Sequence, residues 1–247
     1  MAHVDPWDIK VDDERQEDSL ETFIIFCEDD NSEPLYFRSF SNDKIKVNAI
    51  PNQKQGKLNI LNALQKCKAD GLVAFDANCY RLIDGITEHI WCVYDRDLES
   101  EQWENISDED HLEFDYSIQT AQQTGLHVAW SNDAFELWIL LHFEDMPARQ
   151  RLHRNYIYGR LTEIFKVITP RTEELDAITG NIHFNYKNSF KKRSHFLKHI
   201  LPLLKNNTSA AITRAEELEA QFANAVPFHM RNPCTLVHHL VKEIIAI

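Results

Sequence analysis

The chain has 247 residues and a mass of 28.9 kDa, enough for one large domain or for one domain with an additional region. Its apolar share of 43% and its 14 Phe residues exclude an intrinsically disordered protein. The formal net charge of −13 gives no overall attraction for nucleic acid, which argues against a simple DNA-binding module but allows an enzyme with local basic residues.

The first part of the chain predicts a tail, a strand and a helix. Residues 1–20 are acidic and polar and predict a loosely docked tail. The apolar run 22–27 predicts the first strand, and Glu28 stands where this strand ends. A helix is expected over residues 33–41, with Ser32 as its N-cap.

The acids after the first strand allow two interpretations. Glu28 can supply a metal ligand at the end of a parallel strand. Alternatively, Glu28, Asp29 and Asp30 together can stabilise the N-terminus of the following helix through its dipole. The choice depends on whether other strands also end in carboxylates.

The next segments continue an alternation of strands and helices. Residues 44–50 alternate polar and apolar side chains and predict a second strand. A helix is expected after Gly56, where apolar residues recur at helical spacing. The stretch 70–88 is interpreted as a helix with a loop, and the apolar run 89–94 predicts a buried strand.

Two carboxylates, Asp95 and Asp97, follow the strand at 89–94. In an extended chain, side chains at i and i+2 point to the same side, and ligands of open α/β sheets bind beyond the carboxyl ends of the strands. Two acids held close together repel each other unless a cation lies between them. With Glu28 from a parallel neighbour, they predict a Mg²⁺ or Mn²⁺ site, whereas the alternative is a pair of solvated turn acids.

The remaining segments are mainly helical after one more strand. A helix at 112–124 ends at Gly125, and residues 126–130 predict a strand. The order predicts an α/β fold with a mostly parallel sheet flanked by helices and a helical C-terminal portion. Three ranges describe the expected organisation: a tail at 1–20, a core at 21–145 and a helical region at 146–247. Helices in the last region are expected at 188–205, 208–224 and 235–245.

Glu136 and His142 lie in the helix that follows the strand at 126–130. Glu136, in the first turn, is expected to face the metal site, where it would assist catalysis or bind a second ion. Its alternative role is that of a first-turn acid that stabilises the helix. His142 lies on roughly the opposite face and is interpreted as a packing or partner histidine.

The chain is acidic overall, but it contains two clusters of basic residues. Such clusters are either solvated faces or places where phosphates dock, and on a chain with a metal site we expect phosphate contacts. Tyr186 and Phe190 are expected to stack on a nucleobase. One cluster contains Arg149, Arg151, His153 and Arg154; the other, the expected nucleic-acid-binding set, contains Lys187, Lys191, Lys192, Arg193 and Lys198.

Missing motifs narrow the choice of function. The five scattered cysteines include no Cys-x-x-Cys pair, which predicts free thiols in a reducing cytoplasm and gives no zinc site. We see neither a signal peptide nor an apolar run long enough to span a membrane. Without a P-loop, a dinucleotide-binding motif or a nucleophile elbow, the chain is not expected to be an ATPase, and no tyrosine is placed for attack of the topoisomerase type.

The chain resembles the RloB-like family, whose members are similar to Toprim proteins. The resemblance extends from about residue 21 to 245, and the segment 131–142, Ser-Asn-Asp-Ala-Phe-Glu-Leu-Trp-Ile-Leu-Leu-His, is its most specific part. One departure is Asp29, where the family tends to have Gly after the first Glu. Further motifs are Phe-Cys-Glu at 26–28, Glu-Pro-Leu-Tyr-Phe at 33–37, Val-Tyr-Asp-Arg-Asp at 93–97 and Arg-Asn-Pro-Cys-Thr-Leu-Val-His at 231–238.

The resemblance implies a function and a set of metal ligands. Toprim proteins hold Mg²⁺ with one Glu and an Asp-x-Asp, which correspond here to Glu28, Asp95 and Asp97. The implied activity is that of a metal-dependent nuclease in bacterial anti-phage defence, acting on DNA or RNA, with a possible RloA-like ATPase partner. The alternative is a non-catalytic Toprim-like adaptor or sensor that acts with such an ATPase.

Overall fold

The computed structural model describes residues 20–51, 60–147 and 150–247 of the chain. Residues 1–19 of the predicted tail lie outside the described residues. The expected start of a helix after Gly56 also lies outside them. The strands are β1 (Glu21–Phe26), β2 (Ile45–Ile50), β3 (Val73–Asp76), β4 (Cys79–Leu82), β5 (His89–Asp95), β6 (His127–Asn132) and β7 (Cys234–Thr235). The helices are α1 (Ser32–Arg38), α2 (Ile60–Ala69), α3 (Asp108–Thr124), α4 (Glu136–Leu141), α5 (Arg154–Val167), α6 (Glu173–Thr179), α7 (Tyr186–Phe190), α8 (Arg193–His195), α9 (Leu201–Glu219) and α10 (Val237–Ile245).

Within these residues, five strands form one mostly parallel sheet in the order β2-β1-β5-β6-β7. Strands β2, β1, β5 and β6 run parallel, and β7 pairs antiparallel with the end of β6. The predicted α/β fold with flanking helices and a helical C-terminal part is therefore confirmed. Parallel pairing places the carboxyl ends of β1, β5 and β6 at one edge of the sheet, where ligands of such folds bind.

A hydrophobic core lies on each face of the sheet because successive side chains of a strand point to opposite faces. On one face, Phe23 and Val93 pack with residues of α1, α4, α5, α9 and α10. On the other face, Cys92 and Trp130 pack with α2 and α3. The central strands β1 and β5 are consequently covered on both sides, which explains why their sequences read as continuous apolar runs.

The stretch 70–88 forms an antiparallel hairpin of β3 and β4, so the expected helix with a loop is wrong. The turn consists of Ala77 and Asn78, which have φ angles of 47° and 61°. Positive φ at both central residues is the requirement of the tight turn that suits a two-residue hairpin, usually met by Asn-Gly or Asp-Gly. Alanine at the first of these positions is a poor sequence signal, which is why the turn was not predicted.

Several helix boundaries differ from the prediction for local reasons. Helix α3 begins at Asp108 rather than at 112, since the Ser107 side chain accepts a hydrogen bond from Asp110 N–H, and it ends as expected at Gly125, whose φ is 100°. Helix α10 begins at Val237 rather than at 235, because Cys234 and Thr235 form β7 and pair with β6. Helices α8 and α9 are joined by a π-helical turn, Phe196–Ile200. Helix α9 is continuous over Leu201–Glu219, whereas separate helices were expected at 188–205 and 208–224. No helix of the described residues has the length and apolar character that a membrane span requires.

His142 is a packing histidine, as expected. It is 2% exposed, its ring packs edge-on against Tyr36 and Trp138, and its Nδ1 lies 2.8 Å from the Trp138 carbonyl oxygen. Burial lowers the pKa of His142 to about 4. The neutral ring is therefore part of the core at neutral pH.

We expect acidification to destabilise the wild type more than a His142→Leu variant. Between pH 6.5 and about 4 the unfolded chain binds a proton at His142 that the folded chain does not, so the free energy of unfolding falls as the pH falls. The full effect is about 3 kcal/mol. Urea denaturation at pH 7 and pH 4.5 measures it, with the exposed His183→Leu as control. Equal acid sensitivity of wild type and His142→Leu would contradict the prediction.

Candidate functional site

The carboxyl ends of β1 and β5 bring Glu28 and Asp95 together. Glu28 Oε2 accepts a hydrogen bond of 2.6 Å from the backbone N–H of Asp95. The two strands are paired in parallel with Phe26 opposite Cys92, so the residues that follow them lie side by side. This adjacency was expected from the strand order.

Asp95 carries a buried carboxylate oxygen that lacks a hydrogen-bond partner among the described residues. The residue is 9% exposed, and its Oδ2 accepts a hydrogen bond of 2.7 Å from Phe135 N–H, whereas Oδ1 has no donor. Burial and the charges of Glu33, Glu28 and Asp97 raise the pKa of Asp95 well above its usual range. Such an oxygen is usually satisfied by a proton, an ordered water molecule or a cation.

Asp97 does not converge with Asp95 as an extended chain would require. Its φ is 54°, a left-handed conformation that Asp adopts more readily than most residues, so the alternation of a strand no longer applies. Its carboxylate forms an ion pair with the Arg154 guanidinium, which also donates a hydrogen bond of 2.5 Å to the Leu98 carbonyl oxygen. Asp97 is thus held at the rim, with its charge close enough to affect Asp95.

Asp29 and Glu33 organise the loop between β1 and α1. Asp29 accepts hydrogen bonds from the backbone N–H groups of Asn31, Ser32 and Glu33, at 3.1, 3.0 and 3.1 Å. Glu33 Oε2 in turn accepts from the N–H groups of Glu28 and Asp29, at 2.6 and 3.3 Å. Asp29 therefore provides the helix-terminus stabilisation considered as an alternative for these acids, and the N-cap position belongs to Asn31 rather than to the expected Ser32.

Glu136 lies beside this cluster and is paired with a lysine. It is 3% exposed, its Oε1 lies 2.9 Å from Lys191 Nζ, and its Oε2 accepts a hydrogen bond of 3.4 Å from the Tyr158 hydroxyl. Its charge contributes to a raised pKa of Asp29, for which burial is the main cause. Glu136 thus lies close enough to Asp29 to affect it, and it is paired with a lysine that the sequence did not indicate as its partner.

Removal of the Lys191 cation should destabilise the protein by leaving Glu136 buried and unpaired. We expect Lys191→Met to cost about 2 kcal/mol, less than a fully buried pair because 40% of the Lys191 side chain is exposed. Adding Glu136→Gln should restore most of this loss. A double-mutant cycle in urea denaturation measures the coupling, with Lys198→Met at the surface pair with Glu174 as control. Additive single effects would contradict the prediction.

The expected nucleic-acid-binding set divides into inner and outer members. Lys187 and Lys191 place their Nζ atoms 5.4 and 5.5 Å from the centre of the Tyr158 ring, beside the carboxylates. Lys192 and Arg193 are exposed, and Lys198 forms an ion pair with Glu174. Only the first two are therefore brought next to the acidic cluster.

Tyr186 and Phe190 cannot stack on a nucleobase as expected, because they are 1% and 0% exposed. Both rings pack against Phe165 in the core below α5. Their spacing in the sequence suits a buried helix face as well as a binding surface. In the other basic cluster, Arg151 lies over the Trp103 ring at 4.4 Å, and Arg149 lies outside the described residues.

Asp133 is a central residue that the sequence did not single out. It is fully buried, its Oδ1 accepts a hydrogen bond of 2.5 Å from Leu98 N–H, and its Oδ2 accepts one of 2.8 Å from Arg154 N–H. It thereby connects the loop after Asp97 to the start of α5. Glu33 and Tyr158 were also missed as site residues, whereas Arg154 was expected as a phosphate contact but not as the partner of Asp97. For Glu33 and Asp133, their presence in the resemblance motifs was the available signal.

The donor set fits a hard divalent cation, although the three expected ligands do not all converge. Oxygen ligands suit Mg²⁺, and the unpartnered Asp95 Oδ1 beside Glu28 provides a starting point for it. Among the described residues, the one group of three His, Cys or acidic side chains with ligand atoms within 4.8 Å of one another lies elsewhere. Asp97 would have to leave Arg154 in order to join Glu28 and Asp95.

Comparison with known proteins gives one match. A family model described as RloB-like protein matches residues 23–244, which is most of the chain. No curated protein and no solved structure matches the chain.

Proposed function

The chain belongs to the RloB-like family, and from that premise we propose that it is a Toprim-type, Mg²⁺- or Mn²⁺-dependent nuclease that cleaves DNA or RNA in bacterial anti-phage defence. The observation that carries the proposal is Asp95 Oδ1, a buried and unpartnered carboxylate oxygen at the carboxyl edge of a parallel sheet, next to Glu28. A buried acid with a raised pKa at such an edge is typical of functional sites.

In this proposal, Asp95 and Glu28 hold the metal ion, and Asp97 joins them once Arg154 pairs with another anion. When bound, the ion would polarise a phosphoryl oxygen and lower the pKa of a water molecule. The hydrogen bond from Asp95 N–H keeps the Glu28 carboxylate in place. The capping bonds of Asp29 and Glu33 hold the loop that carries Glu28.

The cations around the site would receive the nucleic-acid backbone. Arg154 is the side chain best placed to exchange Asp97 for a phosphate, because a guanidinium binds both anions with the same geometry. Lys187 and Lys191 add positive charge at the Glu136 side, and exposed Lys192 and Arg193 extend it outward. This local positive charge would offset the net negative charge of the whole chain.

The test is a titration of the purified protein with Mg²⁺ and Mn²⁺, with cleavage of mixed DNA and RNA followed in the same samples. Metal-dependent cleavage that is lost in Asp95→Asn would support the nuclease and identify its substrate class. Metal binding at Asp95 without cleavage would indicate an enzyme that awaits a partner, such as the proposed RloA-like ATPase. Absence of metal binding by the wild type would refute the proposal.

A non-catalytic adaptor or sensor is the second candidate, favoured by the ion pair between Asp97 and Arg154. Arg154 neutralises the charge of Asp97, the third expected metal ligand, without a metal ion. A scaffold that binds no metal would require such a partner. On this reading the same surface docks onto an ATPase. An Arg154→Gln variant separates the candidates: it should strengthen Mg²⁺ binding in the nuclease, where Asp97 is released, and leave it undetectable in the adaptor.

A further inference from the structure

A second group of metal-ligating side chains lies where the end of α9 meets the first turn of α10. The Nε2 atoms of His238 and His239 are 3.0 and 2.8 Å from the same oxygen, Glu219 Oε2. All three ligand atoms lie within 4.8 Å of one another. None of these residues belongs to the acidic site at the sheet edge.

Both ring nitrogens of His238 face oxygens that can only accept a hydrogen bond. His238 is fully buried, and its Nδ1 lies 3.1 Å from the Thr235 carbonyl oxygen, which can only accept a hydrogen bond. A neutral ring has one proton, and when that proton lies on Nδ1 the Nε2 lone pair faces the Glu219 carboxylate. Two acceptors that face each other at 3.0 Å require a cation between them or a second proton on the ring.

The surroundings favour the metal ion over the proton. A second imidazole, that of His239, places its Nε2 2.8 Å from the same carboxylate oxygen, so three potential ligand atoms converge on one place. A carbonyl that accepts from Nδ1–H is also the usual way in which proteins orient a metal-binding imidazole. His239 is 47% exposed and Glu219 is 33% exposed, so that an ion could enter from solvent.

We propose that Glu219, His238 and His239 bind a first-row transition-metal ion of the Zn²⁺ class, with a remaining coordination position open to water. Two imidazole nitrogens and one carboxylate select such ions over Mg²⁺. Ligand atoms on one tetrahedral ion stand about 3.3 Å apart, so a small outward shift of the two rings would accommodate it. The sequence indicated no zinc site because the cysteine spacing does not provide one.

The bound ion would fasten the end of α9 to the start of α10. Cys234 is not one of the three residues whose ligand atoms converge. The ion would thus hold together two helices that pack on the same core as α4. Its expected consequence is a higher unfolding temperature of the loaded protein.

The experiment is a titration of the metal-free full chain with Co²⁺, followed by visible absorption and by thermal unfolding. We expect one equivalent of Co²⁺ with the intense absorption of a low-coordinate ion, displaced by Zn²⁺ but not by Mg²⁺, and a rise in unfolding temperature of about 4 °C. His239→Ala and Glu219→Gln should weaken binding at least about tenfold. His239 and Glu219 are not fully buried, so both variants are expected to fold.

Two controls connect the signal to these residues. Glu216→Gln removes a nearby exposed carboxylate that pairs with Lys242, and Asp95→Asn alters the acidic site; both should leave the Co²⁺ absorption unchanged. Absence of stoichiometric binding, or binding that survives both His239→Ala and Glu219→Gln, would overturn the proposal. Loss of the signal in Asp95→Asn would also overturn it, because the ion would then lie at the sheet edge.

Discussion

Replacement of Asp95 by Asn is expected to reduce metal-dependent cleavage about 10³-fold while the protein remains folded. The amide oxygen can still accept the hydrogen bond from Phe135 N–H, so the backbone contact survives. What disappears is the negative charge at Oδ1, the one fully buried carboxylate oxygen of the cluster for which the described residues provide no donor. Initial rates at saturating Mg²⁺ for wild type and variant measure the loss.

Thermal unfolding without metal separates a lost function from a lost fold. Burial, and then the charges of Glu33, Glu28 and Asp97, raise the pKa of Asp95. Removal of its charge therefore relieves both costs, and the metal-free variant should unfold at the same or a higher temperature than wild type. Added Mg²⁺ should stabilise the wild type but not the variant. Asp30→Asn, at an exposed acid of the same loop, serves as the matched control. If the Asp95→Asn variant cleaved at the wild-type rate, the metal site would be assigned wrongly.

The fold was predictable because its strands are marked locally. Apolar β-prone runs at β1, β5 and β6 are separated by helical segments, and this alternation produces a parallel sheet almost regardless of detail. The adjacency of Glu28 and Asp95 follows from the same order. The β3–β4 hairpin was missed because Ala77 occupies a position that Gly or Asn usually takes.

The pairing of the site residues was less predictable, because it depends on contacts between distant parts of the chain. Asp97 and its partner Arg154 are 57 residues apart, and the left-handed turn at Asp97 has no clear signature in the sequence. The pairing of Glu136 with Lys191 likewise depends on how α7 packs against α5. A local pattern can indicate which acids cluster, but not which cations neutralise them.

The basic and aromatic segment around α7 shows how one pattern suits two structures. Tyr186 and Phe190 are four residues apart and next to lysines, a spacing found both on a nucleic-acid surface and on the buried stripe of an amphipathic helix. Both side chains are buried in the structure, so they belong to the core and not to a binding surface. The lysines remain outside, since a charge is costly to bury without a partner.

Asp133→Ala should be the most destabilising single change considered for this site. The carboxylate accepts hydrogen bonds from Leu98 N–H and Arg154 N–H, and its Oδ2 lies 3.6 Å from the Arg154 side chain. Alanine would leave buried donors unpaired and remove the anion opposite the Arg154 guanidinium, at a cost of about 3–5 kcal/mol. The unfolding temperature should fall by roughly 10 °C.

The comparison with Asp145→Ala tests whether this effect depends on burial. Asp145 also pairs with an arginine, Arg214, but its side chain is 83% exposed, so its removal should cost no more than about 0.5 kcal/mol. Asp133→Asn should lie between the two, because one oxygen acceptor remains. If Asp133→Ala were no less stable than Asp145→Ala, the loop after Asp97 would not depend on this carboxylate. In that case the position of Asp97 would have to be explained by Arg154 and the left-handed turn alone.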